Sequence, residues 1–91
     1  MSYTAKLHND PAFAEYNREL RTADDFYMRR LRKLLAARDL ELQGCPYANE
    51  QKKIKERCQA AVDELRKGYE QACLRAHAAY EAACAQQEET T

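Results

Sequence analysis

Hydrophobic residues recur every three or four positions along the first half of the chain. No glycine or proline interrupts this stripe, whose members are Phe13, Tyr16, Leu20, Ala23, Tyr27, Leu31, Leu34 and Leu42. Such spacing places the side chains on one face of an amphipathic helix. Asp10 offers a capping carboxylate and Pro11 suits the first helical position. We predict a helix over residues 11–43, with Thr22 as an alternative cap or kink.

The second half carries sets of apolar residues that recur at every eleventh position. The repeating sets are Ile54, Cys58, Ala61, Val62, then Leu65, Tyr69, Ala72, Cys73, then Ala76, Tyr80, Ala83, Cys84. A period near 3.67 residues per turn keeps these positions on one side of a nearly straight helix. Gly44 and Pro46 break the pattern between the halves, and Asn49 can cap the second helix. We predict a turn at 44–49 and a helix at about 50–86, between an N-terminal segment 1–9 and a polar tail 87–91.

Two long amphipathic helices joined by a short turn predict an all-α fold, an antiparallel helical hairpin. Two registers fit the stripes almost equally well. In one, a Cys45–Cys58 bond places Leu34 opposite Tyr69. The other is a tighter hairpin, shifted by one repeat. The sequence leaves both open.

Four cysteines in a small chain suggest disulfide bonds and an oxidising compartment. Cys45 and Cys58 flank the turn, and a bond between them would stabilise the hairpin by about 3 kcal/mol. A nested alternative pairs Cys45 with Cys84 and Cys58 with Cys73, and requires a sharp turn near Gly68. The third interpretation is four reduced cysteines that pack as small apolar residues.

Composition narrows the classes of function. The chain has 91 residues with 15 Lys plus Arg and 15 Asp plus Glu, so its formal net charge is zero. This balance argues against a nucleic-acid partner. No run approaches the roughly 18 apolar residues of a membrane span, so we expect at most a peripheral membrane contact. A core this small leaves little room for an active site, and we predict no enzyme activity, no small-molecule substrate, no cofactor and no metal site.

One segment departs from the neutral balance. Five basic side chains fall within ten residues that contain no acid, namely Arg29, Arg30, Arg32, Lys33 and Arg38. We expect a solvated helix face that contacts acidic neighbours or anionic lipid head groups. A nucleic-acid contact is the alternative, and it would show as a salt-dependent mobility shift.

The aromatic content exceeds what one seam between two helices is expected to bury. The chain has six Tyr and two Phe. We therefore predict that aromatic side chains face other protein subunits. The predicted interface residues are Phe13, Tyr16, Phe26, Tyr27, Tyr69 and Tyr80.

Several short motifs resemble the PDSW family, accessory subunits of mitochondrial respiratory complex I (NADH:ubiquinone oxidoreductase). They are the Asn9-Asp-Pro start, Arg18-Glu-Leu, the basic run Met28-Arg-Arg-Leu-Arg-Lys-Leu, and Cys45 and Cys58 separated by a polar connector. The likeness covers residues 9–70. The cysteine spacing here is C-x12-C, one residue longer than the C-x11-C of the family, and Cys73 and Cys84 have no counterpart in its core pair.

The resemblance implies a non-catalytic structural subunit of the membrane arm, on the intermembrane-space face of the mitochondrial inner membrane. Such a subunit holds neighbouring subunits together and contacts no quinone, flavin or iron–sulfur cluster. The segment 1–20 lacks an apolar run, so we expect import without a cleavable leader. The alternatives are a twin-cysteine hairpin that acts in assembly, or a structural subunit of another inner-membrane complex.

Overall fold

The computed structural model describes residues 10–90, with side chains up to Gln86. Helix α1 spans Pro11–Gln43 and helix α2 spans Ala48–Thr90. The two helices pack against each other along their length, so the predicted all-α hairpin is confirmed. The molecule is a rod with dimensions of 66 × 20 × 15 Å.

The ends of α1 follow from its local sequence. The Asp10 carboxylate accepts a hydrogen bond from the Ala12 amide at 3.0 Å. Pro11 occupies the first turn, where a backbone N–H would have no partner within the helix, so the missing N–H of proline costs nothing there. Gly44 ends the helix with φ −90°, an ordinary right-handed conformation. Thr22 does not cap a helix, because it lies inside the continuous helix α1, where its hydroxyl donates to the Arg18 carbonyl one turn earlier at 2.9 Å.

Helix α2 begins slightly before the predicted position. The Gln51 backbone amide already donates to the Tyr47 carbonyl at 2.9 Å, so Asn49 lies inside the first turn rather than at the cap. The helix continues through Gly68 without a break. A glycine inside a long helix costs about 1 kcal/mol relative to alanine, which packing along this length offsets.

The helices adopt the tighter of the two predicted registers. Tyr27 packs on Tyr69, with ring centroids 5.0 Å apart, and the Cys58 thiol lies 3.7 Å from the Leu34 carbonyl oxygen. The register that a Cys45–Cys58 bond would impose is therefore wrong, since it placed Leu34 opposite Tyr69.

The structure contains no disulfide among its four cysteines, all of which lie in the described part of the chain. Cys58 lies level with Leu34, about 16 Å along α1 from Cys45, so the predicted bond near the turn does not form. The nested alternative is also wrong. Cys58 and Cys73 share one continuous helix and are about 22 Å apart.

The core is thin. Val62 and Ala76 are the buried hydrophobic residues of the described chain, at 9% and 3% exposure, and the other stripe residues are only half-buried. The accessible surface is 7494 Å², whereas a compact monomer of this mass exposes about 5,500 Å². A two-helix rod thus keeps open to solvent much of the surface that a globular domain of this size would bury.

Candidate protein-docking face

Five of the six predicted interface aromatics lie in the seam between the helices. Tyr16 packs on Tyr80 with centroids 5.1 Å apart, and Phe13 meets Tyr80 edge-on at 6.1 Å. Tyr27 and Tyr69 form a second pair one repeat away. All five side chains are half-buried. Their ring contacts join α1 to α2 within the hairpin, at geometries that stabilise aromatic pairs.

The Tyr69 phenol has a polar partner across the seam. Its hydroxyl donates a short hydrogen bond to the Asp24 carboxylate on α1. That bond, with a smaller contribution from Cys73, raises the pKa of Tyr69 above its ordinary value of 10.0. The phenol therefore remains protonated and bound to Asp24 throughout the physiological range.

Phe26 is the one predicted interface aromatic that projects into solvent, at 59% exposure. It stands at the junction of two depressions between α1 and α2, of about 370 and 740 Å³. Both are lined by Ala23, Phe26, Ala72 and Arg75. We call this side of the hairpin the grooved face. Its floor is formed by small residues, so an incoming side chain can approach the helix backbones closely.

The grooved face continues toward the turn. A further depression of about 540 Å³ is lined by residues that include Leu40, Lys53 and Arg57. Their helical phase places them on the same side of the hairpin as Phe26 and Arg75. Leu40 is 72% exposed. The face thus combines exposed apolar side chains with a charged border along most of the rod.

Sequence reasoning missed several exposed apolar residues. Leu40, Tyr47 and Leu74 are 67–72% exposed, and Met28 is 44% exposed. Each lies outside the apolar stripes that form the seam. An apolar residue in such a position is expected to be exposed, and this was the signal in the sequence that could have identified them. Leu74 lies on the outer surface of α2, away from the grooved face.

Charge is distributed unevenly along the rod. The Tyr27–Tyr69 pair divides it into a turn half and an open half. The turn half, residues 28–68, has 11 Lys plus Arg against 6 Asp plus Glu, a net charge of +5. The open half, residues 10–27 and 69–86, has 3 against 7, a net charge of −4. The neutral total therefore conceals an electrically polar molecule.

The described residues show no constellation for metal chemistry and no membrane span. No group of three or more His, Cys, Asp or Glu side chains in that part of the chain is placed to hold a metal ion. Neither helix there is apolar enough over sufficient length to cross a bilayer. Comparisons with protein-family models, curated proteins and solved structures find no match.

Proposed function

We propose that this protein is a non-catalytic structural subunit that binds other protein chains through its grooved face. The observation that carries the proposal is an exposed Phe26 set between two depressions floored by alanine. Exposed aromatic side chains beside small residues are typical anchors at protein interfaces. The large accessible surface supports the same role, because a partner helix would bury what the hairpin leaves open.

The mode of binding would be helix in groove. A partner helix placed along the junction of α1 and α2 would convert the hairpin into a three- or four-helix bundle, which buries a second seam. The charged border, with Glu19 on α1 and Arg75 on α2, would set the direction and position of the partner.

We place this role in the mitochondrial inner membrane, on the intermembrane-space face of complex I, as an accessory subunit. The support for this setting is the resemblance of residues 9–70 to the PDSW family. The docking role and the setting stand on different observations, so each has its own test.

The docking role is tested by native electrophoresis of cells that express the tagged full chain. Most of the wild-type protein should migrate in a large assembly. Phe26→Ala should lower the ratio of incorporated to free protein about tenfold, since a buried anchor of this kind contributes about 1–2 kcal/mol. Leu74→Ala is the matched control, because Leu74 is 68% exposed on the outer surface of α2. Equal incorporation of both variants would contradict the role of the grooved face.

The setting is tested by protease protection of fractionated mitochondria. The protein should resist protease in intact mitochondria, become sensitive once the outer membrane is opened, and comigrate with complex I activity. Recovery in the cytosol, or in an assembly without complex I subunits, would overturn the setting. The docking role would still stand in either case.

A further inference from the structure

The charge polarity of the rod bears on which partner occupies the grooved face. From it we infer that a second copy of this chain docks there in antiparallel orientation, forming a four-helix bundle; this inference rests on the proposed docking role. Antiparallel packing places the turn half of one copy, at +5, on the open half of the other, at −4. Parallel packing would bring like charges together at both ends.

A face-to-face antiparallel pair has its two-fold axis across the rod. That axis places α1 on α1 of the second copy and α2 on α2, each pair running in opposite directions. In each helix, the residues on one side of the axis therefore face the residues on the other side in the second copy, and the two sets must be complementary. Both helices meet this condition at the same level of the rod.

On α1, the centre is Phe26. The residues of the grooved face alternate at intervals of three and four on either side of it, with Glu19 seven positions before and Lys33 seven positions after. An axis at Phe26 brings the two phenylalanines together and places Glu19 opposite Lys33 of the second copy. The axis generates this ion pair twice.

On α2, the centre lies between Gly68 and Ala72. Glu64 and Arg75 stand on either side at nearly equal distances, and all four residues line the same depression. The axis places Gly68 on Ala72 of the second copy and Glu64 on its Arg75. A side chain at Gly68 would meet no atom within 4 Å, so the backbone is open to a close approach. Glu64 already contacts Lys67 at 3.4 Å, an exposed pair on its own helix.

The two centres coincide in space, although they belong to separate helices. Tyr27 packs on Tyr69, so the centre of the α2 array lies level with Phe26 on α1. A single two-fold axis therefore satisfies both ion pairs and both apolar contacts. The rod is 20 Å wide and α1 is 33 residues long, so the shared face is about 1,000 Å² per copy. A standard stable interface buries about 800 Å² per partner.

The test is sedimentation equilibrium of the full chain, in reductant to exclude intermolecular disulfides. The wild type should sediment as a dimer of twice 10.6 kDa. Glu19→Lys and Lys33→Glu should each weaken dimerisation at least tenfold, because each creates two like-charge contacts. An equimolar mixture of the two variants should recover wild-type affinity, since both cross-contacts become attractive again. Glu70→Lys, away from the grooved face, is the control and should dimerise as the wild type does.

A further variant tests the interface by steric hindrance while leaving the fold of the hairpin intact. Gly68→Leu replaces a poor helix former at a position with open space, so the hairpin should keep its helical content. It should nevertheless be monomeric, because leucine would separate the two α2 helices. A wild type that is monomeric at 100 µM, a mixture that does not recover affinity, or a dimeric Gly68→Leu would overturn the inference. A monomer that still enters the large assembly through Phe26 would overturn self-association while leaving the proposed function intact.

Discussion

The open half and the turn half of the rod are held together by different chemistry. In the open half, rings from both helices stack in two groups, Phe13–Tyr16–Tyr80 and Tyr27–Tyr69. In the turn half, the seam carries aliphatic residues of the two apolar stripes, of which Val62 is the buried one. Polar contacts close its edge, among them Arg57 to Glu41 at 2.6 Å and the Gln51 side-chain amide to the Cys45 carbonyl at 2.8 Å.

This difference reflects how each half is constrained. The turn holds the helices together at one end, so modest contacts suffice there. The open end has no covalent connection nearby and would fray, and large rings compensate by covering more apolar area for each residue ordered. We therefore expect substitutions in the aromatic groups to affect the hairpin more than comparable substitutions near the turn.

Tyr80→Ala tests this difference between the two halves most directly. Tyr80 contacts both Phe13 and Tyr16, so its removal should cost about 2 kcal/mol of unfolding free energy, against about 1.5 kcal/mol for Val62→Ala in the turn half. Urea denaturation followed by circular dichroism measures both. Hydrogen exchange should show faster opening of residues 69–86, with residues 28–68 still protected.

Phe26→Ala is the control for that experiment. Phe26 is 59% exposed and belongs to neither ring group. At protein concentrations low enough to keep the hairpin monomeric, its loss should therefore change the free energy of unfolding by less than about 0.5 kcal/mol. If Tyr80→Ala were equally mild, the rings would not be the contacts that close the open end.

A smaller effect is expected at alkaline pH. The hydrogen bond to Asp24 raises the pKa of Tyr69, so above pH 10 the unfolded chain releases a proton that the folded chain keeps. The stability that this bond provides is thus present below pH 10 and falls as the pH rises further. Asp24→Asn should lower the pKa of Tyr69 and flatten that decline, as measured by absorbance at 295 nm and by thermal melts.

The neighbouring Asp25 gives a matched comparison. Asp25 carries the same charge and is exposed, and it follows Asp24, the residue that accepts the hydrogen bond from Tyr69. Asp25→Asn should therefore leave the dependence of stability on alkaline pH unchanged. Identical profiles for both variants would mean that overall charge, not the Asp24 contact, determines the titration of Tyr69.

The smallest effect is predicted for the polar edge of the turn half. Glu41→Gln removes the ion pair with Arg57, whose side chains are 50% and 70% exposed. Solvent screening limits such a pair to about 0.5 kcal/mol, and 0.5 M salt should remove most of that difference. Glu56→Gln, with its weaker contact to Lys52 at 4.0 Å on the same helix, is the control. A loss that salt does not reduce, and that exceeds the range of exposed ion pairs, would show that the turn half depends on this pair after all.

The sequence was sufficient for the secondary structure because its signals are local. Asp10, Pro11 and Gly44 act on the backbone beside them, and the apolar intervals identify the faces of both helices. The cysteine pairing could not be obtained in this way. It depended on the path that the short connector between Gln43 and Ala48 takes, because that path decides how far along the seam Cys58 lies from Cys45.

The docking face was only partly predictable. Aromatic content alone suggested six interface residues, but five of the rings pack on one another between the helices and Phe26 alone projects outward. Whether a ring points into a seam or away from it depends on its helical phase relative to the partner helix. The contribution of Arg75 and Gly68 to the same groove depends on the register, which the apolar stripes left open.

Repetition in α2 has a consequence for how the hairpin finds its alignment. Tyr16 and Tyr27 stand one repeat apart on one helix, and so do Tyr69 and Tyr80 on the other. In the native arrangement both rings on each side meet a ring. Slippage by one repeat would leave aliphatic contacts nearly intact but match only a single ring pair. The two tyrosine pairs thus favour the native register over one shifted by a repeat, which the alanine and leucine pattern alone would tolerate.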